Sequence, residues 1–184
     1  MSLRGASLAQ MIEVGDGLIR RQKPLVTLEH VASVVAVSRS RGVALARRAL
    51  SWMRSQTDSL METRSRLLLI GAGFPCPQVN PEVYCPDARR TYHLDLGYLT
   101  ERVAVEYDGA VHVQSSQQME IDAHRRGDLQ EAGWLIFTVT RRELAAPATI
   151  IRQVRQALES RRLPGTAPPR PPRGWRHLVE PRLC

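Results

Sequence analysis

RVAVEYDGAVH, residues 102–112, sets Glu106, Asp108 and His112 close together, and LDLGY just upstream supplies Asp95. Carboxylates are poor strand formers. Yet Val103, Val105 and Tyr107 alternate with Ala104 and Glu106 in the period of a half-buried strand. In TYHLDLGY, Tyr92, Leu94 and Leu96 face one way, with His93 and Asp95 on the other side. If Thr100 and Glu101 form the turn between these strands, Asp95 lies directly opposite Glu106, with Cβ atoms about 5 Å apart. Two like charges so placed destabilise a sheet unless a cation lies between them. Mg²⁺ is commonly held by one or two carboxylates together with phosphate oxygens and water. Asp108, two residues beyond Glu106 on the same face, is placed to add a ligand or orient a water. A three-residue turn would destroy this arrangement, pairing Asp95 near Val105; both carboxylates would then simply be solvated. Gly109 offers a sharp exit from the strand that returns His112 over the carboxylates. There it is either a proton acceptor for metal-bound water or an ordinary loop histidine.

The surrounding elements follow from periodicity and breakers. Residues 6–21 and 27–52 read as short helices. Leu8, Met11, Ile12, Leu18 and Ile19 form one stripe, Pro24 is a break, and Thr27 caps a helix with Val31, Val34 and Val35 inward. A further stripe runs through Val43, Ala46, Leu50 and Met53. Ser59 precedes Glu62 by the spacing of a capping box, opening a helix that ends at Gly71 or Gly73. Three strands follow, over 77–85 (Pro81 marking an edge or bulge), 91–98 and 102–108. A charged helix over 116–132 ends at Gly133. WLIFTV, 134–139, is almost wholly apolar and reads as a central buried strand, parallel to its neighbour because a helix precedes it. A last amphipathic helix directs Ile150, Ile151, Val154 and Leu158 inward. The expected domains are a helical segment at 1–57, an α/β domain at 58–162 and a disordered Pro/Arg-rich tail at 163–184. The α/β domain is expected to be a three-layer α/β/α sandwich on a mixed four-stranded sheet.

The chain of 184 residues carries a net charge of +8 and a pI near 10.4, which favours a polyanionic partner, nucleic acid first. Lys23 is the only lysine among 26 basic residues, so a catalytic lysine has no other source. No apolar run approaches the roughly 20 residues of a membrane span, and no signal peptide is evident. With three cysteines, a reduced cytoplasmic protein is expected. Cys76, Cys85 and His93 lack the CxxC spacing of a zinc site and read better as buried thiols and a strand histidine. Trp134 reads as core.

Taken together, SLMETRSR, LDLGY, RVAVEYDGAVH and IDAHRRGDLQEAGW resemble the very-short-patch-repair-like endonuclease domain common in actinobacterial proteins, within the restriction-endonuclease-like PD-(D/E)xK superfamily. The resemblance covers residues from about 58 to 160. It implies the restriction-endonuclease-like core, Mg²⁺ or Mn²⁺ as cofactor and DNA as substrate, with Asp95 and Glu106 as metal ligands. It implies an approach of Glu62 to the site from the first helix, where the local reading has Glu62 only closing its cap. It matches DAHR, with Asp122 in support and Arg125 holding a scissile phosphate or bracing a carboxylate. Arg126 is a second phosphate contact, or an i,i+4 surface partner of Asp122. Asp108 departs from the pattern, since it stands where the superfamily has the lysine of ExK. The base or water-positioning role then passes to Asp108 or His112. The alternative is a nuclease-fold protein that binds DNA without cutting it, as an accessory in phage defence or a toxin–antitoxin pair. The oligomeric state is open, a homodimer included.

Overall fold

The structure, a computed structural model, describes residues 6–109 and 116–162. The chain forms two compact units, the first running to Pro75 and the second beginning at Cys76. The division falls later than the 57/58 boundary read from the sequence, because the helix after Ser59 packs with the N-terminal helices.

The first unit is helical: α1 (Leu8–Ile19), α2 (Leu28–Val37), α3 (Val43–Leu50) and α4 (Leu60–Gly71). Thr27 and Ser59 cap helices as the sequence announces, and Ser7 adds a cap not read there. Ser7 and Gln10 form a reciprocal capping box, the Thr27 hydroxyl accepts from the amide of His30, and the Ser59 hydroxyl from that of Glu62. Leu8, Met11, Ile12 and Ile19 are buried where α1 packs against α3 and α4. The inward stripe expected of α2 is absent: no residue of α2 is fully buried, and Val34 and Val37 are exposed. The helix is apolar on too many sides for its neighbour α3 to cover.

At the centre of this unit Asp16 accepts three hydrogen bonds, from Arg54 N (2.7 Å), Thr63 Oγ1 (2.9 Å) and Arg66 Nη2 (2.7 Å). Arg66 is fully buried, and its Nε and Nη1 have no hydrogen-bond partner. The pair fastens α4 to α1.

The second unit contains β1 (Gln78–Val79), β2 (Glu82–Cys85), β3 (Arg90–His93), β4 (Leu96–Tyr98), β5 (Val103–Tyr107), α5 (Ser116–Glu131), β6 (Leu135–Val139), α6 (Arg141–Ala145) and α7 (Ala148–Ser160). β1, β4, β5 and β6 form a mixed four-stranded sheet in that order, antiparallel except for the parallel pair β5 and β6. β2 and β3 form a separate two-stranded sheet. The two expected strands over 77–85 and 91–98 are thus one long hairpin, broken midway. Its pairing register is continuous through the break, where Asn80 N donates to Asp95 O (2.9 Å) and Leu94 N to Pro81 O (3.1 Å). Asn80 adopts φ 51°, a left-handed conformation asparagine tolerates, and Pro81 has no amide proton to give. Glycine is required opposite this bend: a Cβ on Gly97 would lie 2.8 Å from Cγ of Pro81.

WLIFTV is not a central strand. β6 lies at the sheet edge and Leu135 is 37% exposed, while Val103, Ala104 and Val105 of β5 are buried on both faces. An apolar run reports cover, and here α6 and α7 pack on β6. Ala104 joins Val83, Cys85, Leu94, Leu129 and Trp134 in a core under α5. Alternation places Glu106 on that same face.

Candidate functional site

The turn closes as the sequence predicts. Arg102 N donates to Leu99 O (3.2 Å), with Thr100 and Glu101 between them, and Leu96, Gly97 and Tyr98 pair with Val105, Ala104 and Val103. Continued by one step, this register sets Asp95 opposite Glu106. The ladder itself stops at Leu96, and the Asp95 side chain extends it: Oδ2 accepts the amide proton of Tyr107 at 2.8 Å. One carboxylate oxygen is thereby fixed against β5.

A cation lies at Glu106, and it is Arg125. From α5, Nη1 donates to Glu106 Oε2 (3.0 Å) and Nη2 donates to Oε1, a bidentate pair. Nη2 also donates to the carbonyl of His93 (2.7 Å), and the guanidinium lies 5.9 Å from the centroid of the Tyr92 ring. The arginine therefore ties α5 to β5 and β3 at once. Its pKa is held above the usual arginine value, first by the hydrogen bond to Glu106, then by the charges of Glu106, Asp95 and Asp122. Those three carboxylates converge electrostatically on one guanidinium. The Tyr92 hydroxyl in turn donates to Asp128, one helical step from Arg125, and this bond raises the phenol's pKa. Sequence reasoning missed Tyr92 as part of the site. The available signal was the shared α5 face of Arg125, Asp128 and Leu129.

The other expected site residues are more scattered. Asp122, half-buried on α5, accepts from Gln118 Nε2 (2.9 Å) and adds its charge to the field at Arg125. Arg126 is exposed on the same helix. Asp108 is exposed just past β5, its amide donating to Val139 O (2.9 Å). A Cβ on Gly109 would lie 3.3 Å from the Tyr107 ring; the exit expected beyond it lies outside the described residues. His112 lies outside the described residues. Glu62 belongs to the first unit, where its Oε2 accepts the amide proton of Asp58 (2.8 Å) and completes the cap of α4. Cys85 is buried in the core, where desolvation raises its thiol pKa, and Cys76 Sγ contacts Pro77 O at 3.6 Å. His93 instead faces Glu82 across the hairpin, at 3.7 Å.

Among the described residues no group of three or more His, Cys, Asp or Glu side chains is placed to hold a metal ion. Both oxygens of Glu106 are engaged by Arg125 and Asp95 Oδ2 by the Tyr107 amide, so a divalent cation would have to displace the guanidinium. Mg²⁺ takes its remaining ligands from water and phosphate. On the other side of Arg125 lies a groove of about 370 Å³ between the β3 hairpin arm and α5, lined by Arg90, Tyr92, Glu120, Ile121, His124 and Arg125 among others.

No family model matches this chain, and no solved structure matches it. Two uncharacterized proteins of Mycobacterium tuberculosis, from strains CDC 1551 / Oshkosh and H37Rv, are each 26% identical to it over 80% of this chain. The chain spans 59% of the length of these relatives. Among the described residues no helix is long and apolar enough to cross a membrane.

Proposed function

We propose that the second unit is a divalent-metal-dependent endonuclease acting on DNA, similar to the very-short-patch-repair-like nucleases and built on a restriction-endonuclease-like core. The observation that supports this reading is the proximity of Asp95 and Glu106 beside the end of the β4 and β5 ladder, Asp95 accepting the Tyr107 amide and Glu106 paired with Arg125. The disposition of α5 on the Glu106 face and of α7 against β5 and β6 agrees with three layers. Asp95 and Glu106 would hold Mg²⁺ or Mn²⁺, which lowers the pKa of a bound water and stabilises charge on a phosphate oxygen. Asp95 keeps its orientation through the Tyr107 amide. Asp108, beyond the strand end, would orient the attacking water, a role the sequence shares between it and His112, which lies outside the described residues. Arg125 and Arg126 neutralise the phosphodiester, and the strongly basic chain holds the backbone without reading bases. Cytoplasmic location accords with this role.

Cleavage of supercoiled plasmid and of mismatched or branched duplexes, with Mg²⁺ or Mn²⁺, tests the reading. Metal-dependent cutting by the wild type, reduced by about 10²-fold or more in both Glu106→Gln and Asp95→Asn, is the expected result. No cutting, or equal cutting by all three proteins, overturns it. A second reading has its own observation: both Glu106 oxygens are filled by Arg125, and aspartate stands in place of the ExK lysine. On that reading the fold binds DNA without metal and does not cut it.

A further inference from the structure

We propose that the turn joining α2 to α3, with the outer face of α3, holds the phosphate backbone of duplex DNA through Arg39, Arg41 and Arg48. This inference rests on DNA as the partner in the reading above, and assigns part of the grip to the first unit.

Residues 6–75 carry nine arginines and one lysine against five acids, and the acids are engaged elsewhere. Glu13 is paired with Arg64 (3.1 Å), Asp16 with Arg66 (2.7 Å) and Asp58 with Arg21, and Glu62 is buried in the cap of α4. Glu29 stands in the first turn of α2, about 12 Å of helix from the turn to α3. No acid falls between Glu29 and Asp58, whereas Arg39, Arg41, Arg47 and Arg48 all fall there and all are exposed. Arg47 orders the patch. Its Nη2 donates to Ala36 O (3.3 Å) and Ser38 O (3.2 Å), closing the end of α2 and bringing the outer face of α3 to the turn. Within the turn the Ser38 and Ser40 hydroxyls bond each other (2.8 Å), and Val43 N donates to Ser40 O (3.2 Å). The backbone is thus fixed, while among the described residues no hydrogen bond or ion pair engages the side chains of Arg39, Arg41 and Arg48.

Three like charges held on one short corner repel each other unless a polyanion lies against them. A phosphate oxygen pair accepts the guanidinium fork as a carboxylate does, and here no carboxylate competes for it. Ala44, exposed between Arg41 and Arg48 in the chain, presents only a methyl group, so a phosphate chain has room to meet both. No large apolar side chain of α3 is exposed, so this face offers charge without a wedge to insert, which fits a nucleic-acid strand better than a lipid surface. Val34 and Val37 on neighbouring α2 are exposed, and they make the lipid surface the rival to separate. A backbone contact of this kind adds affinity and salt dependence without base preference.

The test is binding of the full chain to a short fluorescent duplex of mixed sequence, read by anisotropy in EDTA at several salt concentrations. Arg41→Gln/Arg48→Gln is expected to lower the slope of log affinity against log salt by about 2, and to weaken binding about tenfold or more near 0.1 M salt. Arg152→Gln/Arg162→Gln removes the same charge from α7 and its end in the second unit, and should lose far less. Equal losses in the two pairs would make net charge the cause and overturn the patch, as would no loss in the first pair. Arg41→Lys/Arg48→Lys keeps the charge and should keep the slope; a slope lost there too would trace the effect to the fold and overturn the assignment. Unchanged duplex binding in Arg41→Gln/Arg48→Gln, with sedimentation on phosphatidylglycerol vesicles abolished, would give the patch to a lipid surface and overturn the DNA contact. Because EDTA removes the metal, these outcomes are independent of cutting: a patch that fails leaves the nuclease reading standing, and a protein that never cuts leaves the patch standing.

Discussion

Asp95 accepts the amide proton of Tyr107, and this bond gives the residue a structural duty separate from any cation. The two duties are separable by substitution. Asp95→Asn keeps a carbonyl oxygen for the amide and should leave stability nearly unchanged while weakening metal binding. Asp95→Ala strands the amide at the end of the β4 and β5 ladder and should cost about 1–3 kcal/mol, measured as a lowered urea midpoint at unchanged slope. At this scale the sequence was informative where contacts are local. Thr100 and Glu101 make a turn, the turn sets the register, and the register opposes Asp95 and Glu106. The partner of Glu106 was half legible. DAHR flagged Arg125 as either a phosphate ligand or a brace, and the structure shows the brace. Choosing between them requires the docking of α5 on β5, which no spacing within α5 encodes. Glu62 shows the opposite case. Its capping role follows from Ser59 alone, while its assignment to a helix of the first unit depends on long-range packing of α4 on α1.

The elements are held by a few polar fastenings whose strength depends on solvent. In the first unit Asp16 joins α1 to α4 through Thr63 and Arg66. Burial raises the pKa of Asp16, outweighing the lowering by Arg66 and by its hydrogen bonds. The folded value therefore lies above the unfolded one. Its stabilising contribution is full below the ordinary aspartate range and declines as pH rises through the raised value. Asp16→Asn, which cannot titrate, should lack this component. The difference in unfolding free energy, wild type minus variant, should fall as pH is raised from about 4, and chemical denaturation at several pH values checks it. Element boundaries were mostly legible because caps are local signals: Thr27, Ser59 and Gly133 stand at or beside helix ends. The misreadings share one cause. Hydrophobic pattern records that a surface is covered and says nothing of what covers it. β6 looked central yet sits at the edge, and α2 looked inward-facing yet keeps no residue fully buried. The break at Asn80 was legible in part: Pro81 marked an edge or bulge within one expected strand, and the hairpin divides there.

Across the whole molecule, each unit has a core of its own, and each core holds a tryptophan: Trp52 in the first, Trp134 in the second. Arg66→Met leaves Asp16 buried without its counter-ion and should cost the first unit about 3–5 kcal/mol. Unfolding followed by fluorescence in variants retaining a single tryptophan should show the Trp52 transition displaced and the Trp134 transition nearly unmoved. Equal displacement of both would make the two units one cooperative body.

The parallel pairing of β5 with β6 also bears on the order of folding. β4 and β5 meet across a tight turn, at small loop-closure cost, whereas β6 reaches β5 only after the whole α5 crossover has formed. The opposed carboxylates thus exist early, in a hairpin that like-charge repulsion keeps fragile. Arg125 arrives with the crossover helix that closes the sheet. The site's own charge imbalance therefore favours the slow step: docking α5 relieves the hairpin, and the chain commits to its topology at the place where it would later commit to its chemistry.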